Sequence, residues 1–457
     1  MSNPNEKQVK ASQTASDPKT TEPLVEIRVE SMAFGGKGVG RQDGKVYFIE
    51  DGIEGDLAEV VVTEATPRYN ECRITKLIEP SPHRGKSMCP VSDVCGGCQW
   101  QGVPYPKQIE WKKNFVVNAL RRIGKVGEAI EVEVQPSPRD NSYRNRIFVR
   151  ARISTTGELS IGYFKRGSRD FIPISNCAIA VTRINDFIEQ LKILSFREEC
   201  ARQNIQKEIR FRFEIQDVPS KIDSESHILL TVYETDDQSF PAKLIVDQFS
   251  KISSVLWCGT SDQLHAAPPV IFETHAGISF HTSAGIFQQI NIDHNHTARS
   301  LVTETVREIS PKSILDIYCG SGNLSLQLAD GSRSIEGVEF SKRSIEIAKY
   351  NVEKNNLTNI QYFAGDTEKF LWRAAKQGLE YDLIIADPPR EGMFKALIPL
   401  MKLKAKHILY ISCDPTTLSR DLSSLCKRDY RVARFISLDF FPNTYHIESF
   451  VVLERVK

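Results

Sequence analysis

From residue 276 to the C-terminus, apolar runs of strand length alternate with helix-length amphipathic segments, a rhythm that few architectures accommodate. Strands read at 313–318, 334–339, 360–365, 381–387 and 407–412, with helices at 341–355, between 387 and 407, and at 416–427. Such alternation specifies a parallel sheet with helices on both faces. Two last strands, about 431–438 and 448–454, have no helix between them long enough for a parallel crossover. The sheet is therefore predicted to end on an antiparallel strand.

The ends of these strands carry the chemistry. In "LDIYCGSGN", Gly320 and Gly322 fall between a strand and a predicted helix, where a ligand can approach backbone amides at a helix N-terminus. Glu339 ends the next strand, 19 residues after Gly320, where a carboxylate accepts hydrogen bonds from both ribose hydroxyls of a bound nucleoside. Nicotinamide and S-adenosylmethionine enzymes share this logic. The dinucleotide fingerprint wants a third glycine at position 325, which is Ser. That departure and the antiparallel last strand favour a methyltransferase. In "IADPPREG", two prolines stiffen the loop behind Asp387, which is either a turn cap or a carboxylate held at the edge of the same crevice.

"YISCDPTTLSRDL" runs from the fifth strand into a helix, so Cys413 opens on the crevice. A core cysteine, a metal ligand and a nucleophile are the possible readings. No nearby His or Cys has ligand spacing. The dipole of the helix starting near Pro415 is expected to lower the thiol pKa and favour thiolate. Glu448 heads the final strand; it is either an exposed strand end or, facing Cys413, a general base.

"MCPVSDVCGGCQW" spaces its cysteines as Cys89-x5-Cys95-x2-Cys98, a strong metal signal. Zinc commonly pairs two CxxC units, whereas three close thiolates and one distant cysteine suit a [4Fe–4S] cube. Cys177 in "PISNCAIA" is the best fourth ligand. Radical enzymes use three cysteines at x3, x2 spacing, which is not the spacing here.

Upstream, residues 23–81 alternate short β-type runs (25–30, 45–49, 57–64, 71–78) with glycine turns, which suits an OB-like β-barrel. Residues 1–22 are polar and lack the apolar core of a signal peptide, so a disordered tail and a soluble, cytoplasmic protein are expected. No apolar run approaches membrane-spanning length. Residues 82–275 read as an α+β domain holding the cysteine cluster, with a helix at 106–124 and strands at 145–153 and 227–234. The chain has 59 basic and 58 acidic residues, a balance that argues against a general polyanion-coating protein. Residues 101–170 nevertheless hold 14 Lys/Arg against 7 Asp/Glu, and in "YRNRIFVR" and "YFKRGSRD" arginines alternate with aromatics. That pattern is either a solvated strand face or a nucleic-acid surface.

Together these motifs resemble, in order, the iron–sulfur RNA uridine-5-methyltransferases that carry an N-terminal TRAM domain. The resemblance rests on "GGKGVGRQDGKVYFIEDGIEGD", the cysteine set, "GIFQQIN", "LDIYCGSGNLSL", "DPPREG", "SCDPTTLSRDL" and "HIES". It implies a Rossmann-like class I methyltransferase domain (276–457), a TRAM β-barrel (23–81) and a central iron–sulfur domain (82–275), in a monomer. By position it implies that Gln289, Tyr318, Asn323 and Glu339 bind S-adenosylmethionine and that Asp366 and Asp387 line the same site. It makes Cys413 the nucleophile, Glu448 the base, and Cys89, Cys95, Cys98 and Cys177 the ligands of a [4Fe–4S] cluster. The implied substrate is RNA: 23S ribosomal RNA first, with a transfer-RNA loop as rival. A radical iron–sulfur methylthiotransferase, disfavoured by Cys413 and the glycine turn, and a catalytically silent RNA-binding protein, disfavoured by the Cys413–Glu448 pair, are rivals from other classes.

Overall fold

The computed structural model describes residues 24–126, 130–202, 204–219, 227–234 and 242–456. The tail expected at 1–22 lies outside them. The chain divides into two units, one ending at Pro82 and the other comprising residues 34–36 and 83–457.

In the first unit, β1 (Leu24–Arg28), β2 (Ser31–Met32), β3 (Gly38–Gln42), β4 (Lys45–Glu50), β5 (Leu57–Ala65) and β6 (Tyr69–Glu79) form one sheet in the order β1-β5-β6-β4-β3-β2. Period-two alternation turns Ile27, Tyr47, Ile49, Ala58, Val60 and Cys72 into a common core. The expected closed barrel is corrected to an open sheet, since among the described residues no ladder joins the end strands β1 and β2. β2, at two residues, is too short to close one. β3 lies in what reads from sequence as a glycine turn.

The second unit begins with α1 (Tyr105–Ala119), which widens into a π-type turn at Leu120–Gly124, and β7 (Glu133–Gln135). Then come β8 (Arg146–Ile153), β9 (Leu159–Phe164), β10 (Phe171–Pro173), α2 (Thr182–Lys192), α3 (Arg197–Arg202), β11 (Ile209–Val218), β12 (His227–Glu234), α4 (Ala242–Phe249) and β13 (Val255–Thr260). Strands β8 to β13 form a sheet in the order β10-β9-β8-β11-β12-β13. One face buries Ile147, Val149, Phe211, Phe213 and Ile215 against Phe187 and Leu191 of α2. A hairpin, β14 (Val270–His275) and β15 (Ile278–Thr282), follows.

The remaining elements are α5 (Ile292–Ile309), β16 (Ser313–Ile317), β17 (Ser334–Glu339), α6 (Lys342–Lys354), β18 (Ile360–Ala364), α7 (Thr367–Lys376), β19 (Leu383–Ala386), α8 (Leu397–Lys402), β20 (His407–Ser412), α9 (Pro415–Cys426), β21 (Tyr430–Leu438) and β22 (Glu448–Arg455). They build an eight-stranded sheet in the order β18-β17-β16-β19-β20-β22-β21-β7. β16 to β20 are parallel, and β22 runs antiparallel to both its neighbours, as the missing crossover requires. One face is packed by α7, α8 and α9, and the other by α5 and α6. Strand order reverses between β16 and β19, the position where open α/β sheets bind ligands.

Two features lie beyond the sequence reading. β7 joins this sheet in parallel beside β21, pairing Glu133 with Ile436. The helix expected after the glycine turn is absent: residues 320–325 are turns, followed by one 3₁₀ turn at Leu326–Leu328. Helical geometry is opposed there by left-handed Tyr318, Gly320 and Gly322, at φ +62°, +56° and +87°.

Candidate active site

β20 is apolar and almost wholly buried, so the chain surfaces only at its C-terminal end. There Asp414 caps α9: its Oδ1 accepts the amides of Thr416 (2.8 Å) and Thr417 (3.0 Å). Pro415 occupies the first helical turn, where its missing N–H costs nothing. The β20–β22 ladder pairs Ser412 with Ser449, so Cys413, one residue on, is set opposite Glu448. Asp387 follows β19, the other neighbour of β20, and its amide reaches Ile317 O at 3.4 Å.

Burial governs the electrostatics. Asp387 is pushed up to about 7 by desolvation. Glu448 is driven well above the usual carboxylate range, first by burial and then by the Asp387 charge, with Arg390 opposing. The Cys413 thiol is pushed up to about 12 by burial and by Glu448, again with Arg390 opposing. The expectation of a dipole-stabilised thiolate is therefore corrected. The amides that would stabilise it are already taken by the Asp414 carboxylate, and desolvation outweighs the rest. Cys413 begins as a thiol and needs a proton acceptor.

Beside this trio lies the glycine turn. Gly320 N donates to Glu339 Oε2 at 3.4 Å and Ser341 N to Oε1 at 2.8 Å, fixing the carboxylate at the end of β17. A Cβ on Gly320 would meet nothing within 4 Å, so the turn leaves room for a ligand against its backbone. Gln289, Asn323, Asp387 and Glu448 line one small cavity with Phe440 and Phe450. Tyr318 sits in the turn itself, its hydroxyl pushed up to about 12 by burial and by Asp366. Asp366 is exposed and caps α7, accepting Lys369 N at 2.9 Å. These groups fit an adenosyl sulfonium ligand: an open backbone turn, a strand-end carboxylate and a partly apolar cavity.

Residues 274–456 match the family model described as tRNA (Uracil-5-)-methyltransferase, and residues 24–75 match the TRAM domain. An uncharacterized RNA methyltransferase of Halalkalibacterium halodurans is 31% identical over 450 residues, covering 94% of this chain and 97% of that protein. The chain belongs to the S-adenosylmethionine-dependent RNA (uracil-5-)-methyltransferases. An uncharacterized RNA methyltransferase of Nostoc is 29% identical over 453 residues, covering 94% of this chain and 97% of that protein. Among solved structures, a Pyrococcus abyssi tRNA (uracil-54, C5)-methyltransferase in complex with S-adenosyl-L-homocysteine shares the fold, at TM-score 0.66 and 23% identity. That match covers 94% of this chain and 100% of the other. Among the described residues no helix is long and apolar enough to cross a membrane.

In this uracil-5-methyltransferase, sequence reasoning missed the support behind Asn323. Arg299, fully buried in α5, donates from Nε to Asn323 O (2.9 Å) and from Nη2 to Asn323 Oδ1 (2.6 Å). Its Nη1 meets Glu273 Oε1 at 2.5 Å, and its guanidinium lies 3.6 Å from the Phe280 ring centroid. Asn295 Nδ2 bridges Glu273 (3.1 Å) and Asn323 (3.2 Å). The available signal was a polar series, Asn291, Asn295 and Arg299, recurring at helical spacing along the buried stripe of α5.

Far from the glycine turn in sequence, Cys89, Cys95, Cys98 and Cys177 line a cavity of about 240 Å³ with Arg144 and Tyr163. Arg166 Nη2 donates to Cys95 O and Cys98 O at 3.2 Å each, and Asn185 braces the Cys177 backbone at 2.8 and 3.1 Å. Among the described residues no three ligating side chains converge on a single-ion site. A mononuclear zinc site would need its sulfurs about 2.3 Å from one ion.

Proposed function

We propose that the protein methylates carbon 5 of a uridine in 23S ribosomal RNA through a covalent adduct on Cys413. The observation that carries this is Cys413 set opposite Glu448 at the end of β20, beside Asp387 and the glycine turn. Carbon 5 of uracil is too weakly nucleophilic to react unaided. Addition of Cys413 Sγ to carbon 6, with the thiol proton passing to ionised Asp387, makes an enolate with a nucleophilic carbon 5. S-adenosylmethionine supplies the methyl group as an activated sulfonium. The carbon-5 proton then passes to a carboxylate, and the Sγ–carbon 6 bond breaks by elimination. Glu448, raised well above the carboxylate range by burial and by the Asp387 charge, is the stronger base once ionised and takes the carbon-5 proton, while Asp387 returns the thiol proton to Sγ as the Sγ–carbon 6 bond breaks. Reaching carbon 6 requires the base to leave its stack.

Gln289, Tyr318, Asn323 and Glu339 are proposed to hold S-adenosylmethionine, with Asp366 at the rim; Asp366's use as a helix cap leaves it the weakest member. The four cysteines are proposed to hold a [4Fe–4S] cluster. The four thiols line one cavity, which is what supports this reading, and such a group would supply rigidity beside the RNA. Residues 82–275 and 276–457 are proposed as the central and catalytic modules. The ribosomal target rests on the resemblance of the N-terminal and cysteine motifs. A transfer-RNA loop uridine is the second reading, favoured by the family description.

RNA containing 5-fluorouridine tests the chemistry, because fluorine blocks the final elimination. Wild-type protein with S-adenosylmethionine should form a complex resistant to denaturant. If Cys413→Ser still forms it, the nucleophile is misassigned. Sequencing the trapped fragment decides between ribosomal and transfer RNA.

A further inference from the structure

The central sheet buries one face; the other carries arginines and rings in rows. On β8, Arg146, Phe148, Arg150 and Arg152 point away from the core residues Ile147, Val149, Ala151 and Ile153. Register then sets Arg150 directly opposite Arg212 of β11, and Arg152 directly opposite Arg210. Like charges facing each other across a ladder destabilise a sheet. The acids nearby are committed elsewhere: Glu214 to Arg146 at 2.6 Å, and Glu208 to Arg152 (3.4 Å) and Arg210 (3.0 Å). Among the described residues no ion pair reaches Arg150 or Arg212. What holds them is stacking. Arg150 lies 4.6 Å from the Phe164 centroid, Arg152 4.3 Å from Phe171, and Arg212 4.4 Å from Tyr233 and 5.4 Å from Phe148. A guanidinium laid on a ring keeps its edge N–H groups free for a phosphate.

Two contacts orient this face. Arg146 Nη1 donates to Ile286 O at 3.2 Å, in the segment that leads to Gln289. Phe148, 42% exposed, also lines the four-cysteine cavity. Two arginines without counter-ions among the described residues, set against each other beside an exposed ring, match a polyanion whose bases are unstacked.

We propose that this face is a track for single-stranded RNA flanking the target uridine, with Arg150 and Arg212 on backbone phosphates and Phe148 stacked on one base. The inference rests on the RNA methyltransferase reading and names the surface that reading lacks. Duplex RNA is not the expected occupant, because a stacking ring needs an unpaired base.

The test uses the full chain, a labelled oligouridylate and a duplex of equal length, with anisotropy read across a range of KCl concentrations. Removing one phosphate contact from a single strand lowers the slope of log K against log[salt] by about 0.7. R150Q and R212Q should each do so, and the double variant should lose about 1.4. R150K, which keeps the charge, should keep the slope. Phe148→Ala should weaken oligouridylate binding about tenfold with no change of slope, since a ring carries no charge. R150Q should melt no lower than wild type, because it relieves an opposed pair. Unchanged slopes with unchanged affinity would overturn the proposal, and equal losses on the duplex would overturn its single-stranded part. Methyl transfer to uridine by the wild type is scored separately. Its absence sinks the enzyme reading, whereas intact transfer with unchanged slopes sinks the surface alone.

Discussion

Gly322→Ala is the sharpest perturbation of the glycine turn. Gly322 sits at φ +87°, and a Cβ there would stand 2.5 Å from the Tyr362 hydroxyl oxygen and 2.9 Å from Cζ. The ring has nowhere to retreat. Its other side rests on Gly337, where a Cβ would stand 2.3 Å from Cδ1, and its hydroxyl is within 3.0 Å of Ser325 Oγ. An alanine in left-handed conformation costs about 1–2 kcal/mol. Overpacking against a pinned ring adds about 1–3 kcal/mol. The sum, about 2–5 kcal/mol, corresponds to at least a roughly thirtyfold loss of S-adenosylhomocysteine affinity if it falls on the bound turn. Isothermal titration measures that loss, and thermal melting shows any part that falls on the fold. Tyr362→Phe removes the first clashing atom but not the second, and alone loses one hydrogen bond worth about 1 kcal/mol. The double variant should therefore recover part of the loss, with a coupling of about 1 kcal/mol in the cycle. Wild-type affinity and melting in G322A, or strict additivity in the cycle, would refute the packing reasoning.

Three further outcomes are expected. Single-turnover methyl transfer should rise with pH up to about 7 and level above it, because Asp387 must be ionised to take a proton, and Asp387→Asn should abolish that limb; a flat wild-type profile counts against the pair. Asp316, fully buried with Ser325 Oγ at 2.5 Å, has its pKa raised from 3.8 to about 7 by burial, so the native state binds more protons than the unfolded one in that window. Stability from this group is lost as pH rises from about 4 to about 7, and Asp316→Asn should gain on wild type in melting temperature over that range; a constant difference would discount the burial effect. Arg299→Met strands Glu273 without its buried partner and should cost about 3–5 kcal/mol in denaturant unfolding; Arg299→Met/Glu273→Gln should recover much of it, and no recovery would mean that the arginine acts by packing alone.

The catalytic sheet was legible because its signals are local. A strand such as His407–Ser412 declares itself by composition, and its place follows from alternation with helices. The Cys413–Glu448 juxtaposition needed only an antiparallel last strand, which the missing crossover supplied. What stayed hidden depends on side chains meeting across the fold. The helix expected after Gly322 was read from the motif, but three left-handed residues in a row of five oppose it. The Cys413 thiol was read from the α9 dipole, yet Asp414, the next residue, was already a strong capping candidate for the same amides. Glu273 and Arg299 are separated by a hairpin and a helical turn, and nothing local marks them as partners. The barrel misreading has the same root, since strand closure is a property of ends that no single strand encodes.

β7 has a consequence for how the molecule is made. Its three residues pair with β21, about three hundred positions later, and the surrounding contacts are as distant: buried Lys112 Nζ meets Asp439 Oδ1 at 2.5 Å, and Tyr105 donates to Asp439 Oδ2 at 2.9 Å. During synthesis these early groups must wait, solvated, for nearly the whole chain before their counterparts emerge, at about 5–20 residues per second. The lysine is tolerable in water and costly when buried alone. The catalytic sheet is thus sealed late, by a strand translated early. Separate expression of residues 274–456 would leave β21 as a bare edge open to pairing with another copy. The two ends of this unit are a single folding event.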